Sequence, residues 1–522
     1  MSELQPDWVY VYEKPEQAAK ASELLKDEGI SSIIRPGNNK TTLLLLRVPG
    51  YVQGSRQFEC ARRVSACNLS ARIPNVDKFP VPSSHSFKPE LVDYLVSDSQ
   101  RRVIAKEFGD DVDSIFLLSN VILKEMMIPA LVGLVTSLIF SNSYQVKLTY
   151  MWSMIPSVVR VYYVWHKAYY EHVRSPVVLT KRAEYKSGDK TRPTIRTIYI
   201  VTVIALLALY LVGFILLLAL DIFCSDIYQG PLAGIVKLIP VGGNTVLCAI
   251  YGIVYNLVIS KFVDLEDYEW EEEQTLAVSK RKFTIQAFIG FSQIFLSIYF
   301  YKPMADFLVA HIPFVASYAP VNLFINKAPT VTLTTVRLMG QAKYFSVRQP
   351  LIGILTGLGI PTGWYFYTSA KSNEDKFVKE QTKPVLNVQD QLQSLVLILG
   401  YAIILSPVWP LACPISLLFI WARTKALLYN LNNYTRRPTD LGSDDSLRYL
   451  KAVIPVAVFL SYSLVSMDGD LKSNAKTVAT HAFYLAAAVT GALMVIDKIS
   501  VTPVVKSKLV EYNDEAQDKL WL

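Results

Sequence analysis

Polar and cationic side chains interrupt long apolar stretches of this chain, and they are the residues whose types and spacing could do chemistry. Within residues 232–260, Asn244, Tyr251, Tyr255 and Asn256 recur at helical spacing, and Lys237 lies further along the same stretch. A polar group in hydrocarbon costs free energy unless it faces protein or water. The stripe therefore predicts either hydrogen bonds between helices or one wall of a hydrophilic furrow.

A second apolar stretch, residues 331–368, carries a further polar set that could form the opposite wall. The candidates are Thr335, Arg337, Gln341, Arg348 and Gln349. A cation at membrane depth requires water, a phosphate or a carboxylate, and the apolar stretches contain few carboxylates. The cations of the two stretches therefore favour a furrow more strongly than the neutral residues do.

The third stretch, residues 391–430, has no charged residue before Arg423, and Lys425 follows closely. Three prolines lie near its middle, at positions 407, 410 and 414. Proline removes a helix donor, so the stretch predicts two spans that turn near residues 407–409. We expect Lys425 to reach the inner membrane surface with its ammonium group.

The composition places all three stretches in a bilayer. Hydrophobic residues make up 52% of the 522 residues and charged residues only 18%, and the mean hydropathy is +0.29. A spanning helix needs about 20 apolar residues. About ten such spans are predicted, at residues 126–143, 147–166, 196–221, 232–260, 282–303, 331–368, 392–408, 410–430, 450–467 and 477–500.

The charges of the loops predict the orientation. Basic residues are concentrated in the predicted loops after the second and eighth spans, whereas the loop after the third span, "DIFCSDIYQGP", has neither Lys nor Arg. This alternation, together with the lack of a signal-peptide pattern at the start, predicts that both termini are cytosolic. The net charge of +8 fits loops that face anionic lipid and not a nucleic-acid partner.

Enzymatic patterns are missing from the sequence. The five cysteines and five histidines are scattered, and no nucleophile elbow, Walker loop or zinc spacing occurs. The acidic run at residues 264–273 lacks the spacing of an EF-hand loop and predicts a solvated helix face. We therefore expect no enzyme, no cofactor and no metal site.

The segment before the first span predicts a small cytosolic domain. Its order of strand, helix, strand, strand and helix indicates a ferredoxin-like α+β fold over residues 1–75, with the second helix at about residues 51–66. Residues 76–125 are predicted to be a linker with amphipathic helices. The membrane domain follows at residues 126–500, and residues 501–522 form a short cytosolic tail.

Several motifs resemble those of the anoctamin family of calcium-activated chloride channels and lipid scramblases, and its fungal members most. They are "DIYQGPLAGIVKLIP", "KFVDLEDYEWEEEQTLAVSKRKFTIQAFIGFSQIFLSIYFYKP", "RLMGQAKYFSV" and "LILGYAIILSPVWPLACP". The resemblance implies the anoctamin arrangement of about ten helices and a homodimer joined through the last span. It also implies a membrane-exposed furrow between spans three and seven that passes ions or lipid headgroups.

The family binds calcium through carboxylates on spans six, seven and eight. Alignment of the shared motifs places Gly357, Gln391, Ser394, Arg423 and Leu427 at the acidic positions, and Gly353 at a supporting Asn. None of these residues is a carboxylate, so the resemblance implies activity without calcium gating. Two interpretations of Arg423 remain open: its fixed charge partly replaces the ion, or the site has decayed without replacement.

Two classes of function follow from these patterns. The first is transport along the furrow, either of membrane phospholipids or of chloride or other ions. The second is a non-conducting scaffold or contact-site tether in the endoplasmic reticulum. The resemblance favours the endoplasmic reticulum, including its cortical part, over the plasma membrane.

Overall fold

A computed structural model describes much of the chain in atomic detail. The described residues are 8–27, 30–37, 41–47, 73, 77–80, 91–139, 143–172, 192–224, 228, 230–236, 239–296, 298–299, 344, 347, 351, 359, 362–363, 376–436, 446–469 and 475–499. They form a small β-sheet near the N-terminus and a larger bundle of helices.

The N-terminal sheet has four strands. In chain order the elements are β1 (Trp8–Tyr12), α1 (Pro15–Asp27), β2 (Ser31–Pro36), β3 (Thr42–Arg47) and β4 (Asp77–Pro80). Their order in the sheet is β2-β3-β1-β4, and every pair is antiparallel. The sheet thus extends past residue 75, where we expected the domain to end, while the predicted helix at residues 51–66 lies outside the described part of the chain.

Both faces of this sheet are covered, which explains why every residue of β1 is buried. Because side chains alternate along a strand, Trp8, Tyr10 and Tyr12 pack on one face with apolar residues of α1. The other face contacts Phe377 and Val378 of the short helix α10 (Lys376–Thr382). The N-terminal sheet is therefore docked on the segment that precedes the seventh predicted span.

The helices that precede and follow α10 form the bundle. Before it come α2 (Asp98–Phe108), α3 (Asp110–Glu125), α4 (Met127–Ile139), α5 (Tyr144–His172), α6 (Arg192–Ile222), α7 (Ala233–Val236), α8 (Ile239–Leu265) and α9 (Glu271–Leu296). After it come α11 (Val388–Leu405), α12 (Ala412–Asn433), α13 (Ser446–Gly469) and α14 (Ala475–Ile499). Helices α11 and α12 end and begin on either side of residues 406–411, so the predicted turn is confirmed.

Five of the described helices are long and apolar enough to cross a membrane: α6, α8, α11, α13 and α14. Helices α3 and α4 together form a sixth candidate that is bent by 44°, so the predicted first span is preceded by a buried apolar helix. The structure shows a multi-helix membrane domain, whereas the count of about ten spans stays a prediction.

The bundle has a packed centre and an exposed periphery. In the most apolar window of each helix, 83% of the residues are buried in α11 and 67% in α13, but only 11% in α6 and 17% in α8 and α14. Helices α3 and α5 complete the centre by packing against α11 and α13. The exposed helices are the ones available to lipid or to a second copy of the chain.

Candidate functional site

The packed centre of the bundle contains a cation, Arg423 of α12. Its Nη2 donates a hydrogen bond to Oε1 of Gln391 in α11 at 2.7 Å. Arg423 is only 2% exposed and Gln391 only 4%. The structure thus brings together two of the residues that the family resemblance had placed at calcium-binding positions.

The surroundings of this contact supply little further compensation for the charge. Nη1 of Arg423 has no hydrogen-bond partner among the described residues. Asp390, half-buried on the preceding position of α11, attracts Arg423 electrostatically but forms no ion pair with it within the described contacts. A buried cation with one neutral acceptor is a costly arrangement.

Two more of the aligned positions flank the contact. Leu427 is fully buried one helical turn beyond Arg423, and Ser394 is half-buried one turn beyond Gln391. No group of three metal-binding side chains occurs in the described parts of the chain. The aligned glycines, Gly353 and Gly357, lie outside the described residues.

Lys425 differs from our expectation. It is 6% exposed in the structure, so its side chain is inside the helix bundle instead of extending as an exposed anchor. Further along α12, Nδ2 of Asn430 donates to Oγ1 of Thr362 at 3.0 Å. Helix α12 therefore contacts the end of the stretch 331–368 about two turns beyond Arg423.

Part of the polar stripe of α8 forms a hydrogen-bond network with α9. Nδ2 of Asn244 donates to Oε1 of Gln293 at 3.3 Å, and Nε2 of Gln293 donates back to Oδ1 of Asn244 at 3.2 Å. Nε2 of Gln293 also lies 2.7 Å from the hydroxyl of Tyr210 in α6. Asn244 is buried, and Gln293 joins it to Tyr210, so the network links α6, α8 and α9.

The other stripe residues of α8 fall on two sides of that helix. Tyr255 is buried, and the Tyr251 ring packs against Tyr210 with centroids 5.4 Å apart. Asn256 is exposed, as is Thr245, whose Oγ1 lies 3.0 Å from the hydroxyl of Tyr344. The exposed side of α8 thus contacts Tyr344, a residue of the stretch 331–368. The second polar set (Thr335, Arg337, Gln341, Arg348, Gln349) and Lys237 lie outside the described residues.

Gln293 and Glu266 are site residues that sequence reasoning missed. Gln293 is one of two amides inside the apolar stretch 282–303, the other being Gln286, and a polar side chain at that depth was the available signal. Glu266 belongs to the acidic run that we predicted to be solvated, yet it is completely buried. Its carboxylate accepts from Arg281 at 2.5 Å and from the hydroxyl of Tyr268 at 2.7 Å.

This Glu266 cluster ties together the ends of three helices. Arg192 at the start of α6 donates to the backbone carbonyls of residues 266 and 267 after α8, at 2.8 and 2.6 Å, while Arg281 belongs to α9. Burial, with a smaller contribution from the bond to Glu266, raises the pKa of Tyr268 and keeps its hydroxyl a donor. The cluster fixes one end of the α6–α8–α9 group.

The fold and the site define a helical multi-pass membrane protein with buried polar contacts between its spans. A sequence model described as "Anoctamin: Calcium-activated chloride channel" matches residues 104–508. The chain therefore belongs to the anoctamin family. It is also similar to a fungal protein, an uncharacterized protein of Schizosaccharomyces pombe, with 23% identity over 268 residues. That match covers 47% of this chain and 39% of the relative, so the chain spans less than half of the relative's length.

Proposed function

We propose that this chain is a lipid scramblase of the anoctamin family that acts without calcium gating. The observation that carries the proposal is the buried contact between Arg423 and Gln391. Family membership implies an ion channel or a lipid scramblase. At two positions where the resemblance expects carboxylates, this chain has a guanidinium group and a neutral amide.

A calcium ion would be repelled from this site. Hard divalent cations need several oxygen ligands, preferably with negative charge. The guanidinium of Arg423 offers donors only and carries a positive charge in the same place. Because that charge is permanent, the helices around it are held in one electrostatic state that does not vary with calcium.

The furrow of this proposal runs along the exposed side of α8. Asn256 and Thr245 are exposed there, and Thr245 contacts Tyr344 of the stretch that carries Arg337, Gln341 and Arg348. Headgroups need a polar path while their tails stay in lipid, and polar residues on a lipid-exposed helix meet that need. Chloride or another ion is the alternative substrate transported along the same path.

Reconstitution tests the proposal directly. The purified protein is placed in liposomes that carry a fluorescent phospholipid in both leaflets, and dithionite then bleaches the outer leaflet in the presence of calcium or of a chelator. Bleaching beyond the outer-leaflet share in both conditions is the expected result. Bleaching that stops at that share in both conditions would contradict scrambling, and dependence on calcium would contradict the role given to Arg423.

A non-conducting membrane scaffold or contact-site tether is the second candidate. The network between Asn244 and Gln293 favours it, because these hydrogen bonds use the polar stripe of α8 to hold helices together. A scaffold would show neither scrambling nor ion flux in liposomes. The two candidates are therefore separated by the same experiment.

The proposal also includes the oligomeric state, the membrane orientation and the organelle. A homodimer joined through α14 is supported by the high exposure of that apolar helix. The loop charges support cytosolic termini, and the family resemblance supports the endoplasmic reticulum over the plasma membrane. The cytosolic sheet, of ferredoxin-like strand order, would then act on the membrane domain through α10.

A further inference from the structure

One face of the N-terminal sheet is buried against α10, the short helix that precedes α11. The side chains of that face are at most 2% exposed and pack against Phe377 and Val378, and they are Val9, Val11, Leu43 and Leu45. The opposite face of the sheet is covered by α1. Because apolar burial drives the association of two elements, this contact holds α10 on the sheet.

Polar contacts give the docked helix a defined orientation. The guanidinium of Arg35 in β2 lies over the ring of Phe377, with its Cζ 5.7 Å from the ring centroid. Nε2 of Gln381 donates to Oγ1 of Thr41 at 3.1 Å. A Cβ on Gly37 would lie 3.2 Å from Oε1 of Gln381, so the turn between β2 and β3 fits closely around that amide. These contacts fix how α10 lies on the sheet.

The segment that follows α10 also holds the end of α12. The backbone N–H of Arg436 donates to the carbonyl of Pro384 at 3.0 Å, and residues 385 and 436 form a parallel β-bridge. Leu386 is 6% exposed and belongs to the core of the helix bundle. Residues 384–386 therefore join α10 to the bundle at the point where α12 ends.

The same segment leads directly into α11. Oδ1 of Asn387 accepts a hydrogen bond from the backbone N–H of Asp390 at 3.2 Å and so caps the start of α11. Gln391, in the first turn of this helix, accepts the 2.7 Å hydrogen bond of Arg423 in α12. Such a bond tolerates a displacement of only about 0.5 Å before it weakens. The contact between α11 and α12 therefore depends on the junction at residues 384–387.

We infer that the N-terminal sheet acts as a clamp: docked on α10, it holds the start of α11 and the end of α12 in the positions at which Arg423 reaches Gln391. The sheet clamp consists of β1, β3, α10 and residues 384–387. It links the two helices through the chain itself and needs no ligand. This structural role does not depend on transport, whereas its effect on scrambling rests on the proposed function.

Hydrogen exchange of the purified full chain in lipid nanodiscs, read by mass spectrometry, tests the sheet clamp. The double variant Phe377→Ala with Val378→Ser removes the apolar side chains of α10 and leaves the sheet residues unchanged. Helix α10 itself should exchange faster, because a helix of 7 residues is unstable without packing. Exchange at residues 388–395 and 428–436 should rise about tenfold, which corresponds to about 1.4 kcal/mol of local stability.

Two results would overturn the inference. Faster exchange of α10 with unchanged exchange at both helix ends would show that docking does not hold α11 and α12. Unchanged exchange of α10 would show that the sheet does not dock on it.

Two further variants separate docking from general destabilisation. Val385→Ser is the matched control, because Val385 is in the same segment but is 55% exposed, and it should leave exchange unchanged. Gln381→Ala removes the bond to Thr41 and keeps the apolar contacts, so a rise of about threefold is expected at the same helix ends. Exchange of α1 reports whether the sheet stays folded. If α1 exchanges faster in the double variant, Gln381→Ala decides, and no rise in that variant would overturn the inference.

Scrambling rates in chelator connect the sheet clamp to the proposed function. The double variant of α10 should slow scrambling about tenfold and should not slow Arg423→Ala further, because both changes act on one contact. Additive slowing would overturn the link to Arg423. The expected exchange pattern together with no scrambling by the wild type would contradict the proposed function alone, so the two failures are distinguishable.

Discussion

Two buried polar contacts in this bundle, Asn244 with Gln293 and Gln391 with Arg423, differ in charge and therefore in what they can do. The two amides exchange hydrogen bonds in both directions, and Gln293 also bonds to Tyr210, so the contact is neutral. The guanidinium of Arg423 has one neutral acceptor, and its Nη1 has no hydrogen-bond partner in the described part of the chain. A neutral pair stabilises helix packing at low cost, whereas a buried charge is costly. The contrast supports a structural role for the first contact, and the functional role of the second is the one that we propose.

Loss of the acceptor of Arg423 should have the largest effect on stability. Gln391→Leu leaves the guanidinium buried without its hydrogen bond, at a cost of about 3 kcal/mol. Thermal unfolding of the purified protein measures the effect as a lower transition temperature. Gln391→Glu is the control, since a carboxylate also accepts from Arg423 and should preserve stability. Equal destabilisation by both variants would contradict the pairing.

Removal of the charge together with its acceptor should recover most of the stability that Gln391→Leu loses. The double variant Gln391→Leu with Arg423→Met replaces the contact by apolar groups of similar size, which is often neutral or stabilising. We expect a coupling free energy of about 2 kcal/mol between the two positions in a double-mutant cycle. Additive effects would show that the contact between Gln391 and Arg423 is energetically unimportant.

Loss of the hydrogen bonds between Asn244 and Gln293 should lower stability less than loss of the acceptor of Arg423. Gln293→Leu leaves Asn244 without its partner amide and should cost about 1.5 kcal/mol, the upper part of the range for hydrogen bonds between membrane helices. Gln286→Leu on the same helix is the matched control, because Gln286 is exposed. Thermal unfolding should distinguish the two variants, and equal stability would contradict a structural role for the network.

A substitution at Gly400, where α11 packs closely against α9, should have the smallest effect on stability. A Cβ on Gly400 of α11 would lie 2.8 Å from Val453 and 2.9 Å from Phe291 of α9. Gly400→Ala should therefore cost about 1 kcal/mol by overpacking. Gly252→Ala has no neighbouring atom within 4 Å and should gain up to about 1 kcal/mol of helix propensity. Opposite shifts in unfolding temperature are expected, and equal shifts would contradict tight packing at Gly400.

Local patterns in the sequence predicted the features that depend on one element. The prolines predicted the turn between α11 and α12, and strand alternation predicted the N-terminal sheet. Helix α12 was predicted as a span, but it is not among the five apolar candidates, because Arg423, Thr424 and Lys425 lower its hydropathy.

Features that depend on neighbouring elements could not be predicted in the same way. The partner of Asn244 is on α9 and that of Glu266 is also on α9, and periodicity within one helix does not reveal which helix lies beside it. The burial of Lys425 was missed for the same reason, since the residues that cover α12 come from elsewhere in the chain.

The measurement that tests the central claim most directly is the initial scrambling rate in chelator for the wild type, Arg423→Lys and Arg423→Ala. If the fixed charge of Arg423 replaces the ion, Arg423→Ala should be slower by about tenfold, the effect of about 1.4 kcal/mol on the barrier. Arg423→Lys keeps the charge and should retain most of the rate. A rate for Arg423→Ala equal to that of the wild type would contradict the claim and leave the site decayed without replacement.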